Sequence, residues 1–177
     1  MDDRNIGIVR DNDKAGALPR PRYVLDTNVL LAAVLPPVAG HRHPRHRHHG
    51  VLMAAVVAAA RAQGVLLLSP ETLGELAEVM NRPGFDRYVP AEARRDFLDA
   101  LWRESRMVMP VPAVRLCSDA TDDKFLALAL AGDADALVTQ DKAVLALGRV
   151  GRTPILHPNR FATLLGVGEA CRAQPPA

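Results

Sequence analysis

Four acidic residues, Asp26, Glu75, Asp123 and Asp141, each stand where an apolar strand-like run ends or where the helix after it begins. Carboxylates placed in that way gather at one edge of a parallel sheet, because ligand sites in open α/β sheets lie beyond the carboxyl ends of the strands. Held together and ionised, they repel one another unless a cation screens them. With oxygen donors alone, and no His or Cys at metal-ligand spacing, the expected cation is a hard one, Mg2+ or Mn2+, and zinc is disfavoured. Such an ion acts on phosphodiesters by lowering the pKa of a bound water, aligning it for in-line attack and stabilising charge on the leaving oxygen. No Ser/His/Asp triad, glycine-rich phosphate loop or reactive-cysteine motif competes for that role.

Each acid also has a plainer explanation. Asp26 and Asp141 each follow a strand and can cap the next helix. At Asp26 the neighbouring Thr27 and Asn28 add a hydroxyl and an amide able to orient the carboxylate or hold a metal-bound water. Glu71, Glu75 and Glu78 share one helix face, where like charges are mildly unfavourable, and Glu71 and Glu78 read as solvated surface acids. Asp119, Asp122 and Asp123 crowd one helix start, where exposed amides favour acids. A third carboxylate exceeds what capping needs, which sets Asp123 on the inward turn with Asp122 beside it; Lys124 can pair with either neighbour. Among 20 Asp and Glu some alignment arises by chance. Four independent coincidences at strand ends are less expected than one shared site.

The elements that must position these acids alternate. Tyr23–Leu25 is a short apolar run, followed by a short helix that Pro36-Pro37 ends. Val51–Ala62 is helical by composition, and Val65–Leu68 is a strand. Ser69 and Pro70 open a helix to Asn81, with Leu73, Leu76 and Met80 inward. Pro90 opens another helix carrying Phe97, Leu98, Leu101 and Trp102, and Met107–Val111 is a poorer strand broken by Pro110. Thr121 can cap a helix from Asp122 to Ala131, which Gly132 ends. Ala136–Thr139 is a strand, Lys142–Leu147 a short helix, Pro154–Leu156 a last strand, and a helix follows Pro158. Strand and helix in alternation imply a parallel sheet covered on both faces, with all strand C-termini at one edge.

At 177 residues, 49% hydrophobic but only 4% aromatic, the chain is expected to be one domain with an Ala/Leu/Val core and not an all-β sandwich. Residues 1–20 read as a flexible tail, 21–168 as the domain and 169–177 as a frayed end. The two cysteines, Cys117 and Cys171, are too few for a disulfide scaffold. The longest apolar stretch, Val51–Ala60, is too short to span a bilayer, so the expectation is a cytoplasmic protein with no membrane partner. A net charge of +2 neither excludes nor argues for a polyanionic partner. Five of the six histidines lie in 41–49, read as a polar loop whose Arg42, Arg45 and Arg47 offer RNA phosphates a salt-sensitive contact.

The wording around the acids carries a resemblance. Val24-Leu25-Asp26-Thr27-Asn28-Val29-Leu30, Glu75-Leu76-Ala77-Glu78-Val79-Met80, Asp122-Asp123-Lys124-Phe125-Leu126 and Ala134 to Asp141 together resemble a PIN domain, and within it the VapC-type toxins of toxin–antitoxin systems. The resemblance implies a three-layer α/β/α fold with a central parallel sheet of four to five strands. It implies a Mg2+- or Mn2+-dependent endoribonuclease, with metal on Asp26, Glu75, Asp123 and Asp141 and with Thr27, Asn28, Asp122 and Thr139 in support. It also implies an RNA substrate, a cognate antitoxin that blocks the site, and homodimers. Two positions depart from the pattern: Gln140 stands where Gly is more usual, and Ala120 where Pro is common. The alternatives are a non-catalytic RNA-binding or interaction module on the same fold and, ranked below it, a structure-specific DNA nuclease.

Overall fold

The computed structural model describes residues 19–35, 44–110 and 122–167, and for 44–49 the backbone alone. The elements run β1 (Arg22–Leu25), α1 (Thr27–Val34), α2 (Pro44–Gln63), β2 (Val65–Leu68), α3 (Pro70–Met80), a 3-10 turn (Pro83–Phe85), α4 (Ala91–Glu104) and β3 (Arg106–Met107). They continue with α5 (Asp123–Ala131), β4 (Ala136–Val138), α6 (Lys142–Ala146), β5 (Arg149–Val150), β6 (Thr153–Leu156) and α7 (Pro158–Leu164).

The strands form a six-stranded sheet in the order β3-β2-β1-β4-β6-β5. Every neighbouring pair is parallel except β5 and β6. Alternation of side chains along each strand divides the core into two. On one face Tyr23, Leu25, Leu66, Leu68, Ala136, Val138 and Leu156 pack with residues of α1, α2, α3, α4 and α7. On the other, Val24, Leu67, Leu137 and Ile155 pack beneath α5 and α6. This is the α/β/α sandwich that the alternating pattern requires, with β1 at its centre.

The five parallel strands β3, β2, β1, β4 and β6 match the expected parallel sheet, and among the described residues a sixth, β5, is added at its edge because Gly151, with a φ of 55°, permits a tight antiparallel turn into β6. Several local expectations need correction. Helix α2 begins at Pro44, not Val51, and so takes up residues 44–49 of the stretch read as a loop; proline is favoured in a first helical turn, where its missing N–H costs nothing. Residues 41–43, with Arg42, and the side chains of Arg45 and Arg47 lie outside the described residues. Strand β3 is only two residues long, and Val111 lies outside the description. Asp122, not Thr121, occupies the N-cap position of α5, and Thr121, Cys117, Cys171 and the two terminal tails also lie outside it.

Other local signals hold. Ser69 and Thr72 form a reciprocal capping box at the start of α3. Leu76 and Met80 are buried while Glu71 and Glu78 are exposed. Gly64, between α2 and β2, leaves no room for a side chain: a Cβ there would lie 2.6 Å from the Pro21 carbonyl oxygen and 2.4 Å from the Tyr23 ring. Gly64→Ala is therefore expected to lose about 1–3 kcal/mol of stability through forced displacement in a packed region, measured by denaturant unfolding. An unchanged midpoint would show that the turn has slack.

Candidate active site

Strand β1 is the point at which strand order reverses: β2 and β3 extend to one side of it, β4 and β6 to the other. A crevice is expected at the carboxyl ends of strands flanking such a point. Asp26 directly follows β1, and its N–H donates to the Val138 carbonyl at 2.9 Å, which ties it to the end of β4. Its side chain is 5% exposed. One carboxylate oxygen accepts a hydrogen bond from the Asn28 N–H at 3.3 Å and the other from the Thr139 hydroxyl at 2.7 Å.

Thr139 in turn accepts from the Asp141 N–H at 3.0 Å, so one hydroxyl links the backbone of the fourth acid to the side chain of the first. Asp141 uses its Oδ1 to cap α6, accepting from Ala143 N–H at 2.7 Å and Val144 N–H at 3.0 Å. The second acid is joined by the same device. Thr27, buried at the first position of α1, donates from Oγ1 to Glu75 Oε2 at 3.0 Å. Capping thus accounts for one oxygen of Asp26 and one of Asp141. It does not account for two buried threonines whose hydroxyls tie the acid-bearing segments to one another.

The electrostatics agree with this gathering. Burial pushes the Asp26 carboxyl above its ordinary value; the bonds from Thr139 and Asn28 pull it down, and the charges of Glu75 and Asp141 push it up again. Glu75 and Asp141 therefore each act on Asp26, which stands at the ends of β1 and β4. Asp123 opens α5, half-buried, with Asp122 just before it at the cap position. Its neighbour Lys124 reaches across to α3, where the ammonium lies 3.2 Å from Glu75 Oε2, and this contact brings the first turn of α5 to the site.

Lys124 is the residue whose role sequence reasoning missed, having paired it with its neighbours Asp122 and Asp123. A signal was present: a lysine in the first turn of an apolar helix opposes the helix dipole, which calls for a partner elsewhere in the fold.

Beside the acids lies an open cleft of about 440 Å3, lined by Asn28, Leu31, Ala32, Leu35, Phe85, Gln140 and Asp141. Asn28, Leu31, Ala32 and Leu35 recur at the spacing of a single face of α1. Phe85 faces them from the 3-10 turn, which is anchored by Arg94, a buried residue of α4 that donates to the Met80 carbonyl and pairs with Asp86. Gln140 forms part of the same wall as Asp141, with its amide 3.5 Å from Met53 Sδ.

The donor types are those of a hard divalent ion: carboxylate oxygens, two following strands and two on helices, with hydroxyls bonded to Asp26 and Glu75. Among the described residues, however, no three His, Cys, Asp or Glu side chains stand close enough together to hold a metal ion. The chemistry of the group fits such an ion, and the spacing is looser than a finished coordination shell. No helix among the described residues is long and apolar enough to cross a membrane.

Comparisons with curated proteins and with solved structures return no match. A family model for the PIN domain matches residues 22–143, well over half of the chain and a span that contains all four acids. PIN domains are generally metal-dependent nucleases, and the sheet order, the gathered carboxylates and this match lead to one statement of identity: the chain belongs to the PIN-domain family.

Proposed function

We propose that the protein is a Mg2+- or Mn2+-dependent endoribonuclease and the toxin of a type II toxin–antitoxin pair. The observation that supports the reading is a desolvated Asp26 whose carboxylate bonds to Thr139, which also accepts from the Asp141 N–H, beside Thr27, which bonds to Glu75. Asp26, Glu75, Asp123 and Asp141 would hold the ion. When bound, it supplies an activated water and a charge on the scissile phosphate.

The remaining work falls to the chain. Thr139 and Thr27 fix the carboxylates before substrate arrives, which spares reorganisation during the reaction. Asn28, exposed at the mouth of the cleft, is positioned to donate to a phosphate or ribose oxygen, and the apolar face of α1 opposite Phe85 accommodates a base or sugar. Asp122 supports Asp123, and Arg42, Arg45 and Arg47 add phosphate contacts. A nuclease domain over residues 21–168, a cytoplasmic location, homodimers and an antitoxin that covers the site belong to the same reading; the sequence wording around the acids supports the homodimers and the antitoxin.

The test is cleavage of a panel of structured and unstructured RNAs, with parallel DNA substrates, with and without Mn2+. Internal RNA cuts that require Mn2+ are expected. RNA binding without cleavage would favour a non-catalytic module, and cleavage of branched DNA alone would make the protein a nuclease of another substrate class. Toxicity is read separately, by growth arrest on induced expression.

A further inference from the structure

We propose that Lys124 is the site's internal counter-cation, a positioning residue that holds Glu75 until a divalent ion takes over its charge. The inference rests on the metal-dependent reading above and concerns what keeps the acids together before metal arrives. Lys124 Nζ lies 3.2 Å from Glu75 Oε2, the same oxygen that accepts from Thr27. The lysine side chain is 12% exposed and that of Glu75 35%, so the pair is sheltered without being sealed from solvent. The ammonium also sits 5.4 Å from the centroid of the Phe125 ring, a second favourable contact within reach.

A further observation points the same way. A lysine in the opening turn of α5 faces the positive end of the helix dipole, so the pairing with Glu75 is made against a local penalty. An ammonium bound to Glu75 competes with a dication for that oxygen and repels it. Metal binding would then be an exchange, in which Glu75 would serve the ion and Lys124 would give up that contact while keeping the one with the Phe125 ring.

Exchange makes a prediction that an ordinary salt bridge does not. In Lys124→Met the competitor is gone, so Mn2+ measured by titration calorimetry on the full chain should bind about tenfold more tightly, within the usual range of coupling between sites. The same variant should melt lower than wild type without metal, and the deficit should shrink at saturating Mn2+, because the two effects are linked thermodynamically. Lys124→Arg, which keeps a cation, should stay near wild type in both measurements. A purely structural ion pair would lower melting equally with and without Mn2+ and leave affinity unchanged, and that result overturns the proposal, as does weaker Mn2+ binding by Lys124→Met or absence of Mn2+ binding by both proteins. If Lys124→Met does not fold without metal, Lys124→Gln is measured too; recovery of either by Mn2+ supports exchange, and failure of both to recover sinks it. An Mn2+-dependent cycle of this form in a protein that cuts no RNA would remove the ribonuclease reading alone.

Discussion

Asp26→Asn is expected to lower kcat/KM for Mn2+-dependent RNA cleavage by about a thousandfold or more, in the range seen when a central catalytic group is removed, and to raise the metal-free melting temperature. The two effects share a cause. The native fold holds Asp26 nearly dry and opposes its ionisation with the charges of Glu75 and Asp141. Asparagine keeps an acceptor for the Thr139 hydroxyl and gives up only the long bond from Asn28. The pH dependence has a definite sign. Folding raises the proton affinity of Asp26, so between its ordinary value of 3.8 and its raised native value the folded chain holds more protons than the unfolded one. Metal-free stability contributed by this group therefore falls as pH rises through that interval. The advantage of Asp26→Asn should be full above the native value and disappear below the ordinary one. Melting curves from pH 3 to 8 in chelator measure this, and a constant difference across the range would show that Asp26 carries no ionisation penalty.

Thr139→Val should be the most damaging change that removes no carboxylate. The side chains are nearly isosteric, but valine deletes the donor to Asp26 and the acceptor for the Asp141 N–H together. Leaving buried groups unpaired costs about 1–3 kcal/mol each, which sets the expected loss of stability. Cleavage is expected to fall about a hundredfold, because loosely held ligands forfeit the alignment on which catalysis depends. Thr139→Ser, which retains the hydroxyl, should recover most of both. If valine and serine variants behave alike, the hydroxyl is not what joins the acids.

The alternation of apolar runs with helices is enough to read the sandwich from sequence, because the central strands β1, β2 and β4 are buried almost throughout and some helices carry their caps locally, as Ser69 and Thr72 show for α3. The edge strand β5 was hidden for a physical reason: Arg149–Val150 is too short to carry a period, and its pairing with the expected strand β6 depends on Gly151. The start of α2 was hidden because a His/Arg composition suggests a solvated loop and says little about backbone. Within the site, Asp26 and Asp141 are legible because a strand delivers each directly to the edge. Glu75, inside a helix, could be singled out from Glu71 and Glu78 only with the resemblance. The partner of Lys124 is on another element 49 positions away in sequence, and no local pattern encodes such a contact.

The order in which these parts leave the ribosome follows from the position of β1. The first of the described strands becomes an interior strand of the sheet, and its second neighbour, β4, comes from far downstream. The 113 residues separating Asp26 from Thr139 take about 6–23 s to synthesise at ~5–20 residues per second. Until then β1 keeps one edge unpaired, and Asp26 has neither Thr139 to orient it nor Asp141 beside it. A chain cut short before β4 would thus carry an open, aggregation-prone strand edge and lack both Thr139 and Asp141. The topology makes the surroundings of Asp26 wait for a strand made long after it.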